Sequence, residues 1–150
     1  MYYFAYGSNM NKKHLDDYLG HNNAMFIDTG ILKNNIFMYQ GIKNHLNIKG
    51  KADIRRRKGS NVYGVIYKVD EDIMKKLDKK EGVHKGIYER EYCKIKAKGQ
   101  VYNCVTYRMI TDKISRRMEP SVKYKTIIIT AAVYHNFPKK YLSRLKNIQR

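Results

Sequence analysis

Tyr2-Tyr3-Phe4-Ala5-Tyr6-Gly7-Ser8-Asn9-Met10 opens the chain and decides most of its reading. Residues 2–6 are aromatic or apolar throughout, the pattern of a short buried strand. Gly7-Ser8-Asn9 follows as a small-residue loop, and Leu15 and Tyr18 then fall at helical spacing in a polar segment, so a helix is expected over 11–19. Asn9 suits an N-cap. Strand, small-residue loop and helix start together aim backbone N–H groups at whatever lies above the strand end. Gly7 lets the backbone turn and come close to a ligand. A simple turn would have the same composition, so the residues alone leave both an anion or carbonyl site and a plain turn open.

At 150 residues the chain is expected to be one domain, 1–150, long enough to bury roughly two-thirds of its unfolded surface. No apolar run approaches the length of a membrane span, and the start of the chain has no basic, apolar and small-residue cleavage pattern. A cytoplasmic protein is expected. Cys93 and Cys104 lie in neighbouring strand-like runs without a CxxC pattern, which reads as buried free thiols. The histidines, at 14, 21, 45, 84 and 135, show no zinc-type spacing, and no metal site is expected.

Charge is the unusual feature of the composition. Lys+Arg number 31 against 13 Asp+Glu, a formal +18. Such an excess can mark a nucleic-acid binder. Here the lysines are spread along the chain, and the only tight cluster is Arg55-Arg56-Arg57-Lys58. Spread lysine reads as solvated surface that can also steer an anionic small substrate, so no nucleic-acid partner is expected.

Further along, Ile31–Tyr39 reads as a strand and Leu46–Ile54 as a strand bent at Gly50, with a turn at Lys58–Asn61. Val62–Val69 alternates strongly. Asp70 then caps a helix whose apolar face is Ile73, Met74 and Leu77, and which stops at Glu81-Gly82. The helical phase of Lys79 and Lys80, off that face, points them to water. Tyr88–Ala97 and Val101–Met109 flank a Lys98-Gly99-Gln100 turn and form a hairpin. Pro120 precedes a helical stripe from Tyr124 to His135, and a shorter helix follows Pro138. Many strands, few helices and no regular alternation give an α+β fold.

Among the carboxylates Glu81 stands out. A glutamate at a helix C-terminus opposes the helix dipole, and in a cleft this raises its pKa toward that of a usable base. A surface glutamate in a lysine-rich helix has the same sequence. Asp70 and Asp72 read as helix-start residues and Asp78 as polar surface or a local backbone acceptor. Tyr88 reads either as a pocket residue beyond the loop or as barrel wall. Tyr124 reads as core with a satisfied hydroxyl.

Residues 3–10, YFAYGSNM, with YGVIYKV and LDKKEGVHKGIYERE in mid-chain and PSVKYKTIIITAAVYHNFPKKYLSRLKNI near the end, resemble the gamma-glutamylcyclotransferase-like family. The resemblance covers nearly the whole chain, and the order and spacing of the motifs make it specific. It implies a small mixed β-barrel with helices packed around it. It implies an enzyme that converts a gamma-glutamyl amino acid or amine to 5-oxoproline and the free amine by intramolecular aminolysis, with no cofactor. Glu81 falls on the family's catalytic glutamate. Tyr6, Gly7, Ser8, Asn9 and Met10 fall on its substrate loop, with Met10 where relatives often carry Leu, and Tyr124 falls on a site tyrosine. Gly-Ser-Asn-Met is similar to the branch acting on gamma-glutamyl amino acids. A monomer or homodimer acting on a small gamma-glutamyl substrate is expected; the alternative is a non-catalytic basic binding module on the same fold, with nucleic acid as a partner such a module could take.

Overall fold

The computed structural model describes residues 1–45 and 48–147. Strand β1 (Tyr2–Ala5) runs into a 3-10 turn at Ser8–Met10 and then helix α1 (Lys12–Leu19). The helix is capped by Asn11, whose side chain accepts from the His14 N–H at 3.1 Å; Asn9 is not the cap. Strands β2 (Met25–Ile42) and β3 (Lys51–Lys68) form a long antiparallel pair, followed by helix α2 (Glu71–Lys80). The hairpin β4 (Tyr88–Ala97) and β5 (Gln100–Met109), the short β6 (Ile114–Arg117), α3 (Val122–Tyr134) and α4 (Lys139–Lys146) complete the chain.

The sheet closes on itself. β1 pairs antiparallel with β3 and parallel with β5; β5 pairs with β4, β4 with β2, and β2 back with β3. The result is the expected small mixed barrel, closed between β2 and β4 at Ile31 and Lys96, with β6 added to the far end of β2. Closure leaves most strand edges paired. Phe4, Ile54, Val65, Ile66 and Ile95 are fully buried in the core.

Several local expectations are corrected. β2 begins at Met25, six residues before the expected Ile31. Lys58–Asn61 does not reverse the chain: β3 runs through it, and residues 57–60 lie opposite Asn34 in a register shift where the Gly59 N–H donates to Asn34 Oδ1 at 3.0 Å. Asn34 and Gly59 both take positive φ, +58° and +85°, which accommodates this bulge. The strand expected from Leu46 starts at Lys51; Leu46 and Asn47 themselves lie outside the described residues. β6 has no counterpart among the expected strands.

Helix α2 delivers Glu81 to one end of the barrel. Asp70 caps the helix, accepting from the Ile73 N–H at 2.9 Å, and Ile73, Met74 and Leu77 are its buried face. It ends at Glu81, whose N–H donates to Leu77 O at 2.9 Å, and Gly82 comes next at φ +70°. That left-handed residue turns the chain away from the helix axis, and glycine takes it without steric cost. Among the described residues no helix is long and apolar enough to cross a membrane.

Candidate active site

A cavity of about 370 Å³ opens where the end of β1, the end of α2 and the start of α3 meet. Its size suits a small molecule. The 3-10 turn that forms one wall spends its own bonds on the Met10 N–H, donating to Gly7 O at 3.0 Å, and the Asn11 N–H, donating to Ser8 O at 3.1 Å. The N–H groups of Ser8 and Asn9, at the start of the turn, have no acceptor within it. Gly7 sits against the opposite wall: a Cβ there would lie 3.0 Å from Ala52 Cβ and 3.7 Å from the Tyr124 hydroxyl. A glycine keeps this part of the chamber open.

Glu81 enters from the end of α2. Asn9 Nδ2 donates to Glu81 Oε1 at 3.3 Å and to the Tyr3 hydroxyl at 2.9 Å. Two stretches far apart in sequence, the Gly7–Asn9 loop and the Glu81-Gly82 helix end, therefore meet at one carboxylate. Burial raises the pKa of Glu81; Lys80, Lys51 and the Asn9 hydrogen bond pull the other way without cancelling it. The helix dipole predicts the same upward direction, but the main cause is desolvation.

Tyrosines form the rest of the chamber. The Tyr124 hydroxyl accepts from the Ala52 N–H at 3.0 Å, and the Tyr88 hydroxyl donates to Ala52 O at 2.6 Å, so both clasp the start of β3. The Tyr6 hydroxyl donates to Tyr107 O at 2.6 Å. Burial raises the pKa of all of them, which keeps them neutral donors and acceptors.

Of the residues singled out in the sequence, Tyr6, Gly7, Ser8, Asn9, Glu81, Tyr88 and Tyr124 all line this cavity. Met10 does not: it is 1% exposed in the core, and its carbonyl accepts from the Tyr67 hydroxyl at 3.1 Å. The expectation for Lys80 is reversed. Its ammonium bonds to Asn9 Oδ1 and lies 3.2 Å from His14 Nε2, inside the cavity wall. Asp78 is corrected too: it accepts from Arg90 at two positions, both 2.8 Å, and from the Tyr107 hydroxyl at 2.7 Å. Lys51, His14, Tyr3 and Tyr107 also line the chamber and carried no sequence signal of their own.

Cys93 and Cys104 face each other across the β4–β5 hairpin as free thiols, away from the cavity. Burial pushes each up to about 12, so both remain protonated and weakly nucleophilic at neutral pH. The basic cluster is dispersed by the strand that carries it. Arg55 lies 3.1 Å from the Asp53 carboxylate, and Arg56 pairs with Glu91 at 2.7 Å.

A closed small barrel with one carboxylate under a strand–loop–helix start defines the class of fold and site. The AIG2-like family profile matches residues 61–145. Gamma-glutamylcyclotransferase of Homo sapiens is 30% identical over 151 residues, covering 98% of this chain and 78% of that protein. The Mus musculus gamma-glutamylcyclotransferase is 28% identical over the same span and coverage. A solved gamma-glutamyl cyclotransferase superposes with a TM-score of 0.88 at 27% identity, over 99% of this chain and 88% of that one. The chain belongs to the AIG2-like, gamma-glutamylcyclotransferase-like family.

Proposed function

We propose that the protein is a gamma-glutamylcyclotransferase that acts on gamma-glutamyl amino acids, with Glu81 as its acid/base. The substrate curls in the chamber so that its α-amine faces its own γ-carbonyl carbon. As the new N–C bond forms, Glu81 takes a proton from the attacking nitrogen. As the bond from the γ-carbon to the leaving nitrogen breaks, Glu81 returns that proton to the leaving nitrogen. The products are 5-oxoproline and a free amino acid, and atoms and charge balance without an added reactant. Holding a curled substrate supplies much of the rate, because well-oriented intramolecular attack reaches effective molarities on the order of 10⁵–10⁸ M.

The observation that carries this reading is the 3.3 Å contact between Asn9 Nδ2 and Glu81 Oε1. It sets a carboxylate whose pKa is raised by burial beside a turn whose first N–H groups have no acceptor within the turn, an arrangement suited to a base and oxyanion donors. The elevated pKa of both cysteines supports a route without a covalent intermediate. The non-catalytic basic module is the weaker reading, since Arg55 and Arg56 are already engaged by Asp53 and Glu91. The test is incubation with a panel of gamma-glutamyl amino acids and amines, with detection of 5-oxoproline. No release from any member would refute the proposal.

A further inference from the structure

We propose that Lys80 is a positioning residue for this reaction: its ammonium fixes the Asn9 amide so that the amide NH₂ faces Glu81, and so holds the carboxylate in its proton-accepting form. The inference rests on the reading of Glu81 as acid/base.

The geometry is a relay across the separate elements of the cavity wall. Lys80 Nζ bonds to Asn9 Oδ1, leaving Asn9 Nδ2 to reach Glu81 Oε1 at 3.3 Å and the Tyr3 hydroxyl at 2.9 Å. Turning the amide over would set Oδ1 against the carboxylate and NH₂ against the ammonium, which is unfavourable at both ends. On its other side Lys80 lies 3.2 Å from His14 Nε2. His14 accepts there only as neutral imidazole, and burial, then the Lys80 charge, lowers its pKa toward that form. The Lys80 charge lies 5.2 Å above the Tyr18 ring, and none of these partners is a carboxylate. Burial lowers the Lys80 pKa and Lys51 adds to this, while the Glu81 charge opposes it, so ammonium and carboxylate support each other's charged forms.

The need for it comes from burial. Desolvation alone would hold Glu81 as a neutral carboxylic acid, unable to accept a proton. Against that, Lys80 is the largest opposing influence and Lys51 of β3 the next. Tyr3 of β1, Tyr6 just after it, Tyr88 of β4 and Tyr124 of α3 face the carboxylate as neutral phenols, and Lys79 of α2, Lys85 just after it and Tyr107 of β5 line the same cavity. His14 of α1, held neutral by burial and by Lys80, adds no charge. Removing Lys80 thus removes the strongest support for the ionised form and frees the Asn9 amide at once.

The experiment compares wild type with Lys80→Met, Lys80→Arg and Lys75→Met, the last on the exposed side of α2. Two readouts are taken: kcat/KM against pH, and ¹³C NMR titration of the Glu81 carboxyl, assigned with Glu81→Gln. In Lys80→Met both the acid limb and the Glu81 titration should move to higher pH. At neutral pH kcat/KM should fall by about 10-fold or more, and the deficit should shrink as pH rises. Lys80→Arg should restore most of the wild-type titration, and Lys75→Met should leave it unmoved. If Lys80→Met fails to fold, Lys80→Gln, which also removes the charge, is measured in its place. An unmoved Glu81 titration in folded Lys80→Met or Lys80→Gln, or a loss of rate uniform across pH in either, overturns the inference and leaves the acid/base reading intact. Wild-type activity in Glu81→Gln would instead bring down that reading.

Discussion

Asp78 ties the Glu81 end of α2 to the barrel, and replacing it should be costly. It accepts two hydrogen bonds from Arg90 of β4, at 2.8 Å each, and one from the Tyr107 hydroxyl of β5 at 2.7 Å. The Asp78 and Arg90 side chains are 23% and 19% exposed, between the surface and fully buried limits. A bidentate pair at that depth should contribute about 1–2 kcal/mol, above the surface median and below the 3–5 kcal/mol for breaking a buried pair. In Asp78→Ala the Tyr107 hydroxyl keeps only Met74 O at 3.4 Å, a long contact. Leaving that buried hydroxyl poorly satisfied adds about 1–2 kcal/mol. Asp78→Ala should therefore lose about 2–4 kcal/mol, and Asp78→Asn, which keeps an acceptor for Tyr107, roughly half of that. Urea unfolding with matched m-values measures both. A folded Asp78→Ala within about 0.5 kcal/mol of wild type would refute the reasoning.

Glu81→Gln should be more stable than wild type at neutral pH. Burial raises the folded pKa of Glu81, so its favourable contribution is complete below the unfolded value and is lost as pH rises through the folded one. The gain, read from urea midpoints, should therefore be present at about pH 8 and vanish at strongly acidic pH. Gly82→Ala should lose about 1–2 kcal/mol, because its φ of +70° is left-handed and a Cβ would sit 3.2 Å from Ile87 Cδ1; an unchanged urea midpoint would contradict this. The charge of +18 should act by steering, so kcat/KM on an anionic substrate should fall mildly with added salt. Oligonucleotide binding that persists at physiological salt, and is abolished by neutralising Arg55, Arg56, Arg57 and Lys58, would instead favour a nucleic-acid partner.

What is legible in the sequence is local. β1 and its loop, the Asp70 cap, the Glu81-Gly82 stop, the β4–β5 hairpin and α3 each come from periodicity and turn chemistry within a dozen residues. Barrel closure is reached only through family resemblance. It depends on the parallel pairing of Tyr2 with Cys104 and on Ile31 meeting Lys96, and no local pattern encodes either. The start of β2 is hidden because Asp28, Thr29 and Gly30 break its apolar alternation. Lys80 is misread when helical phase is extended to the last residue before a left-handed glycine. There the chain turns, and a four-carbon stem can reach the cavity whatever its phase. Asp78 resembles a surface residue because its partners, Arg90 and Tyr107, come from later strands.

The proposed acid/base role of Glu81 is tested most directly by 5-oxoproline release from gamma-glutamyl-alanine, with wild type and Glu81→Gln compared and folding and substrate binding checked in parallel. Wild type should release the product. In the variant kcat should fall by at least about 10²-fold, the usual scale for losing a general acid/base, with substrate binding retained. A folded Glu81→Gln protein that releases 5-oxoproline at the wild-type rate would contradict that role.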